Sequence, residues 1–165
     1  MFKIGERVVY GSHGVCTVIE FEERTIDRKK AVYMVLQPLE QGSARFYIPT
    51  HNAAALAKVK PLLMPQELEA LISSDAVLSD FWIESENLRK QTYRELISSC
   101  DRVKLMQMVH SVYRYKSAHT GEGKRSHLCD ENFLRDAEKI LINEIYVVLD
   151  VPVEEAREYL HAKLK

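Results

Sequence analysis

Residues able to carry chemistry are few in this chain, and most of them lack the spacing that chemistry needs. His119, His127 and Cys129 are metal-ligating types within one short stretch. They have no CxxC or HxxxH spacing and no evident fourth ligand, so they read as surface residues. The run GEGKR at 121–125 has the look of a phosphate loop. Ala118 stands where that loop needs its first glycine, and Arg125 where it needs Ser or Thr, so an ordinary loop is the better reading. Glu22 and Glu23 would point to opposite faces of a strand, which suits no acid–base pair. His13 lies in a turn between Gly11 and Gly14, where local hydrogen bonding is its expected role. No Ser-His-Asp or Cys-His set assembles. The chain is expected not to be an enzyme and to need no cofactor or metal.

Two features point outward. Trp82, the only tryptophan, stands beside Phe81 and ahead of a run of charged residues. It is either a core plug or an aromatic meant for an external partner. The second feature is the charge distribution. The net charge is −1, yet residues 87–125 carry nine Lys/Arg against three Asp/Glu, while both flanks are acidic. A basic middle can meet phosphates even at an unremarkable isoelectric point, although a solvated helix face gives the same excess.

The elements that position these residues fall into two kinds. RVVY (7–10), GVCTVIEFEER (14–24), AVYMVLQ (31–37) and ARFYIP (44–49) are rich in Val, Ile, Tyr and Phe, with turn residues between them. They predict four short antiparallel strands in a small bent sheet or barrel. After about residue 60 the apolar period becomes helical. Pro65 suits the first turn of one helix and Asp101 the N-cap of another. In that second helix Leu105, Met106, Val109, Val112 and Tyr113 share a face, opposite Arg102, Lys104, His110, Ser111, Arg114 and Lys116. Phe133, Ala137, Ile140, Leu141, Ile145 and Val148 form the next stripe, and Val153, Ala156, Leu160 and Leu164 a last one. The fold class is therefore α+β: a small N-terminal domain at 1–55 and a helical domain at 56–165. Three scattered cysteines and no apolar run of about 20 residues point to a reducing, cytoplasmic setting without a membrane span.

The run Gly5-Glu6-Arg7-Val8-Val9-Tyr10-Gly11-Ser12-His13-Gly14 follows the pattern G-[DE]-x-V-V-Y-x-x-H-G. With EERTI, YMVLQ and FYIPTHNA it closely resembles the start of the CarD family of bacterial transcription regulators. The helical half is similar through YRELISSCD and FLRDAEKILINEI. The resemblance implies that the N-terminal domain is an antiparallel, β-barrel-like (Tudor-like) module, shared with transcription-repair coupling factors, that binds the RNA polymerase β subunit. It also implies a helical domain that meets upstream promoter DNA and steadies the open complex.

On this sequence the polymerase contact would fall on Arg24 and on an edge strand at Arg45, Phe46, Tyr47 and Ile48. Tyr47 replaces a basic residue common in relatives. The DNA contact would fall on Trp82, Asn87, Arg89, Lys90, Arg94, Lys124 and Arg125. Relatives wedge a tryptophan into the minor groove, but Glu86 occupies that position here. Trp82 lies four residues earlier, about 6 Å away on the same face if one helix continues through both. The expectation for Trp82 is partial burial with the indole edge facing solvent. The alternative function is a polymerase-binding module without a direct DNA wedge.

Overall fold

The computed structural model describes residues 1–119 and 130–165, with the backbone alone at Leu128 and Cys129. The chain divides into two compact units, Met1–Leu62 and Leu63–Lys165. The expected Lys124 and Arg125 contacts, and the side chain of Cys129, lie outside the described residues.

The first unit holds β1 (Arg7–Tyr10), β2 (Val15–Ile26), β3 (Lys29–Pro38), β4 (Phe46–Pro49), the single turn α1 (Ala53–Leu56) and β5 (Val59–Pro61). The expected strands and turns are in place. β5, which its three residues gave no period to reveal, returns to pair antiparallel with β1. The β unit therefore runs past the expected boundary at residue 55. The sheet is five-stranded and antiparallel, in the order β4-β3-β2-β1-β5. It is barrel-like yet open, so β4 and β5 are its two edges. A register shift between Val18 and Glu20 marks a bulge that bends β2. One face buries Val8, Cys16, Val18, Met34, Leu36, Ile48 and Val59. Burial pushes the Cys16 thiol up to about 11, which keeps it protonated and unreactive.

The GSHG turn folds as one 3-10 turn over Gly11–His13. Gly14 follows at φ 81° and ψ −155°, a conformation that side chains avoid. The turn brings His13 to 4.2 Å from the Phe46 ring, with Tyr10 5.4 Å from the same ring. The observed contacts of His13 are thus aromatic packing instead of the expected local hydrogen bonding.

The β2–β3 hairpin closes on Asp27 (φ 51°) and Arg28 (φ 64°), between the paired Ile26 and Lys29. Two positive φ angles in a two-residue loop call for Asn-Gly or Asp-Gly. Arg28 holds the second position with a full side chain. Arg28→Gly is expected to stabilise the protein by about 1 kcal/mol, read as a rise in melting temperature. An unchanged or lower melting temperature would show that the tip relaxes without cost.

The second unit contains α2 (Pro65–Ile72), α3 (Asp75–Leu78), α4 (Glu86–Ser99), α5 (Arg102–Ala118), α6 (Leu128–Leu149) and α7 (Val153–Leu164). Start signals behave as written in the sequence. Pro65 opens α2, Ser74 and Ser85 cap α3 and α4, and the Asp101 carboxylate accepts from the Lys104 N–H at 3.1 Å. α5 is the central helix, packed by α2, α3, α4, α6 and α7. The expected apolar stripe of α5 is buried, but so are His110 (7% exposed) and Ser111 (3%) from its supposed polar face. A helix surrounded by neighbours has no solvent face along its middle, so a two-sided reading fails there. The His110 Nδ1–H donates to the Leu164 carbonyl, 2.6 Å away. Arg102, also placed outside, is drawn in by Glu144 on α6 at 2.7 Å. Val153 is 42% exposed, because it opens α7 ahead of the packed stretch that begins at Ala156.

Candidate functional sites

In the first unit the site is the β4 edge. The Thr50 N–H donates to the Val32 carbonyl at 3.0 Å, one rung beyond the Tyr33–Pro49 pair. Antiparallel pairs alternate between bonded and non-bonded rungs. Ile48 and Phe46 therefore direct their main-chain groups into β3, and Tyr47 and Pro49 direct theirs outward. Pro49 has no N–H to present, which is how a proline sits on an edge. The free edge thus centres on Tyr47.

Side chains alternate in the same way. Ile48 is 2% exposed and belongs to the core, so the expected edge strand presents only its backbone at that position. Phe46 is half-buried against Tyr10 and His13. Tyr47 lies on the opposite face with Glu20, its neighbour two strands away. The Arg24 guanidinium rests 3.9 Å from the Tyr47 ring centroid and donates to Tyr47 Oη at 3.0 Å. Arg24 also donates to Glu22 at 3.0 Å, and Arg45 meets Glu20 at 3.5 Å. The Tyr47 ring and hydroxyl thus orient the Arg24 guanidinium. An apolar hollow of about 280 Å³ lies past the last filled rung, lined by Phe2, Phe21, Met34, Thr50 and Leu56 with Met1.

In the second unit the expected DNA residues separate into two sets. Arg89 is 2% exposed. Its Nε and Nη2 donate to the two Asp130 oxygens at 2.9 and 2.8 Å, and Nη1 donates to the carbonyls of Ile83 and Glu84 at 3.0 and 3.4 Å. Asp130 holds the guanidinium above even its usual range. Arg89 is thus an internal strut: four of its five N–H donors are engaged, and burial keeps the group from a phosphate. Its partner stands 41 positions away, and no local pattern announces such a pair.

Trp82 is not helical. Ser85 caps α4, so the segment before it runs extended, and the one-helix link between Trp82 and Glu86 does not hold. The indole stacks on Tyr115 at 3.6 Å and 7°, and Arg89 lies 4.6 Å from its centroid. Trp82 is half-buried as expected, but its Nε1 edge is buried, with no hydrogen-bond partner among the described residues, instead of facing solvent. Tyr115 stacks in turn on His119 at 3.9 Å.

The second set lies at the surface. Asn87 and Arg94 are exposed and Lys90 half-buried, one after another along a face of α4. Lys90 pairs with Glu86 at 2.9 Å, which offsets that acidic charge. Arg94 is exposed, with its guanidinium 5.9 Å from the Phe133 ring. Among the described residues no group of three or more His, Cys, Asp or Glu could hold a metal, and no helix is long and apolar enough to cross a membrane.

Residues 2–60 match the family model of the CarD-like/TRCF RID domain, an RNA-polymerase-interacting domain. The match covers the whole five-stranded sheet but for the last residue of β5. By that match, the first unit of this chain belongs to the CarD-like/TRCF RID domain family.

Proposed function

We propose that this protein is a non-catalytic transcription regulator that docks on the β subunit of RNA polymerase by strand addition at β4, and that its helical unit modulates the promoter open complex. The observation that carries the reading is the free β4 edge, with the Tyr47 main chain directed outward and Arg24 set beside it. Main-chain bonds supply affinity in this mode, and side-chain hollows supply selectivity. Binding of the full chain to isolated β-subunit lobe, followed by open-complex lifetimes with and without the protein, tests it. No binding to the lobe, or lifetimes unmoved on every promoter, would refute it.

For the helical unit, Asn87, Lys90 and Arg94 are the residues proposed to face promoter phosphates. Phosphate contacts release counterions, so the affinity of the polymerase–promoter complex for the protein should fall with salt. Arg94→Ala is expected to flatten that slope by roughly one unit. An unchanged slope would place Arg94 on a solvated face.

A second reading keeps the polymerase contact and drops the wedge. The covered faces of Trp82 favour it. On this reading Trp82→Ala lowers stability by about 3 kcal/mol, as for other packed aromatics, and leaves open-complex lifetimes intact under conditions where the variant is folded. Shortened lifetimes with unchanged stability would restore the wedge.

A further inference from the structure

A cleft of about 1080 Å³ opens in the helical unit among α5, α6 and α7. That is slightly above the ~300–1,000 Å³ usual for small-ligand sites. Its lining shares no residue with the Trp82–Arg89 cluster or with Asn87, Lys90 and Arg94. His110, Tyr113, Arg114 and Ser117 recur at helical spacing along the α5 wall, Leu134 and Glu138 stand on α6, and His161 and Lys165 come from the end of α7.

The charges of this lining are unbalanced. Glu138 is the one acid among the described lining residues, and it is already engaged: Tyr113 Oη donates to its Oε1 at 2.7 Å, and His161 Nε2 lies 4.0 Å from its Oε2. Lys116 on the rim pairs with Glu131 at 3.4 Å. Arg114 makes no ion pair among the described residues, and the contact recorded for Lys165 is with the Tyr113 ring, 5.5 Å from its Nζ. Beneath them sits His110, more than nine-tenths buried. A carbonyl can only accept, so the hydrogen bond to Leu164 places a proton on Nδ1 and leaves Nε2 as the ring's remaining polar atom. It can accept from a hydroxyl. Arg114 and Lys165, neither in an ion pair among the described residues, stand in a concave site with a buried imidazole, where positive charge attracts an anion better than on a flat face.

We propose that this cleft binds a phosphate group, with Arg114 and Lys165 on its oxygens and His110 below. Arg114 supplies the planar fork that matches two phosphate oxygens at once. The Tyr113 ring and Leu134 offer apolar walls to whatever carries the phosphate. Concavity favours a terminal phosphate on a small molecule over a backbone phosphodiester, which two flanking sugars keep from entering.

The test follows the imidazole proton resonances of His110 and His161 in the full chain, with inorganic pyrophosphate as the probe and sodium chloride at matched ionic strength as control. Saturable shifts that chloride does not reproduce are expected, with binding weakened roughly tenfold or more in Arg114→Gln. Arg114 is exposed, and a melting curve checks that the variant is folded. Adenosine monophosphate and a short DNA duplex serve as competing arms. Displacement by the nucleotide alone assigns the site to small phosphorylated molecules, and displacement by the duplex assigns it to nucleic-acid phosphate. Shifts no larger than those from chloride, or equal binding by Arg114→Gln, would overturn the proposal.

Discussion

Arg89→Ala is expected to destabilise the protein by about 3–5 kcal/mol, the usual cost of removing one partner from a buried ion pair. Three losses coincide in that substitution. The Asp130 carboxylate, 9% exposed, is left with no cation beside it. The carbonyls of Ile83 and Glu84 lose the donor that ties the extended segment before α4 to the bundle. Trp82 loses the guanidinium that covers one of its faces. Denaturant unfolding should show a lower midpoint with little change in slope, because the surface exposed on unfolding is nearly the same.

The pair itself need not be a net gain over apolar packing, since burying two charges costs nearly as much as their attraction returns. Arg89→Met combined with Asp130→Leu should therefore recover much of what Arg89→Ala loses. Trp82 emission gives a local readout: in Arg89→Ala under native conditions it should shift to the red as the indole is uncovered. A loss below about 1 kcal/mol, within the range of exposed ion pairs, would mean that Asp130 finds water or another donor. It would also return Arg89 to the set of residues able to meet DNA.

This strut also shows where sequence reasoning reached its limit. Arg89 stands in a basic turn, and every local cue marks it as solvated. What buries it is Asp130, on another helix. The strands of the first unit were legible because their apolar residues and turn residues lie within a few positions of each other, as at Ile26-Asp27-Arg28-Lys29. The placement of Trp82 was legible too, and was misread. Ser85 followed by an acidic first turn is a helix start signal, and taking it as one puts Trp82 outside α4. The burial of His110 and Ser111 was not legible, since it depends on how many helices surround α5. β5 reads as a strand only when its partner β1 is known.

The Tyr47→Pro variant is expected to fold normally and to bind the polymerase β subunit roughly thirty- to hundredfold more weakly, about 2–3 kcal/mol. The register decides this. Tyr47 lies on a non-bonded rung of β3–β4, so its N–H makes no bond inside the protein. Proline at that position removes an outward donor and leaves the internal ladder whole, as Pro49 does two residues later. An added strand would lose that hydrogen bond and meet a ring in its place. Part of the loss comes from Arg24, which gives up its ring and its hydroxyl partner together. Tyr47→Phe separates the two effects, because it keeps the ring and the main chain and removes only the hydroxyl; a loss of about 1 kcal/mol or less is expected there. Phe46→Pro is the opposite control. Its N–H points into β3, so that variant should lose stability before it loses affinity. Measured on folded protein at matched ionic strength, wild-type affinity in Tyr47→Pro would rule out strand addition at β4. Polymerase docking would then have to use side chains on the outer face of the sheet, with Arg24 and Arg45 the first to change.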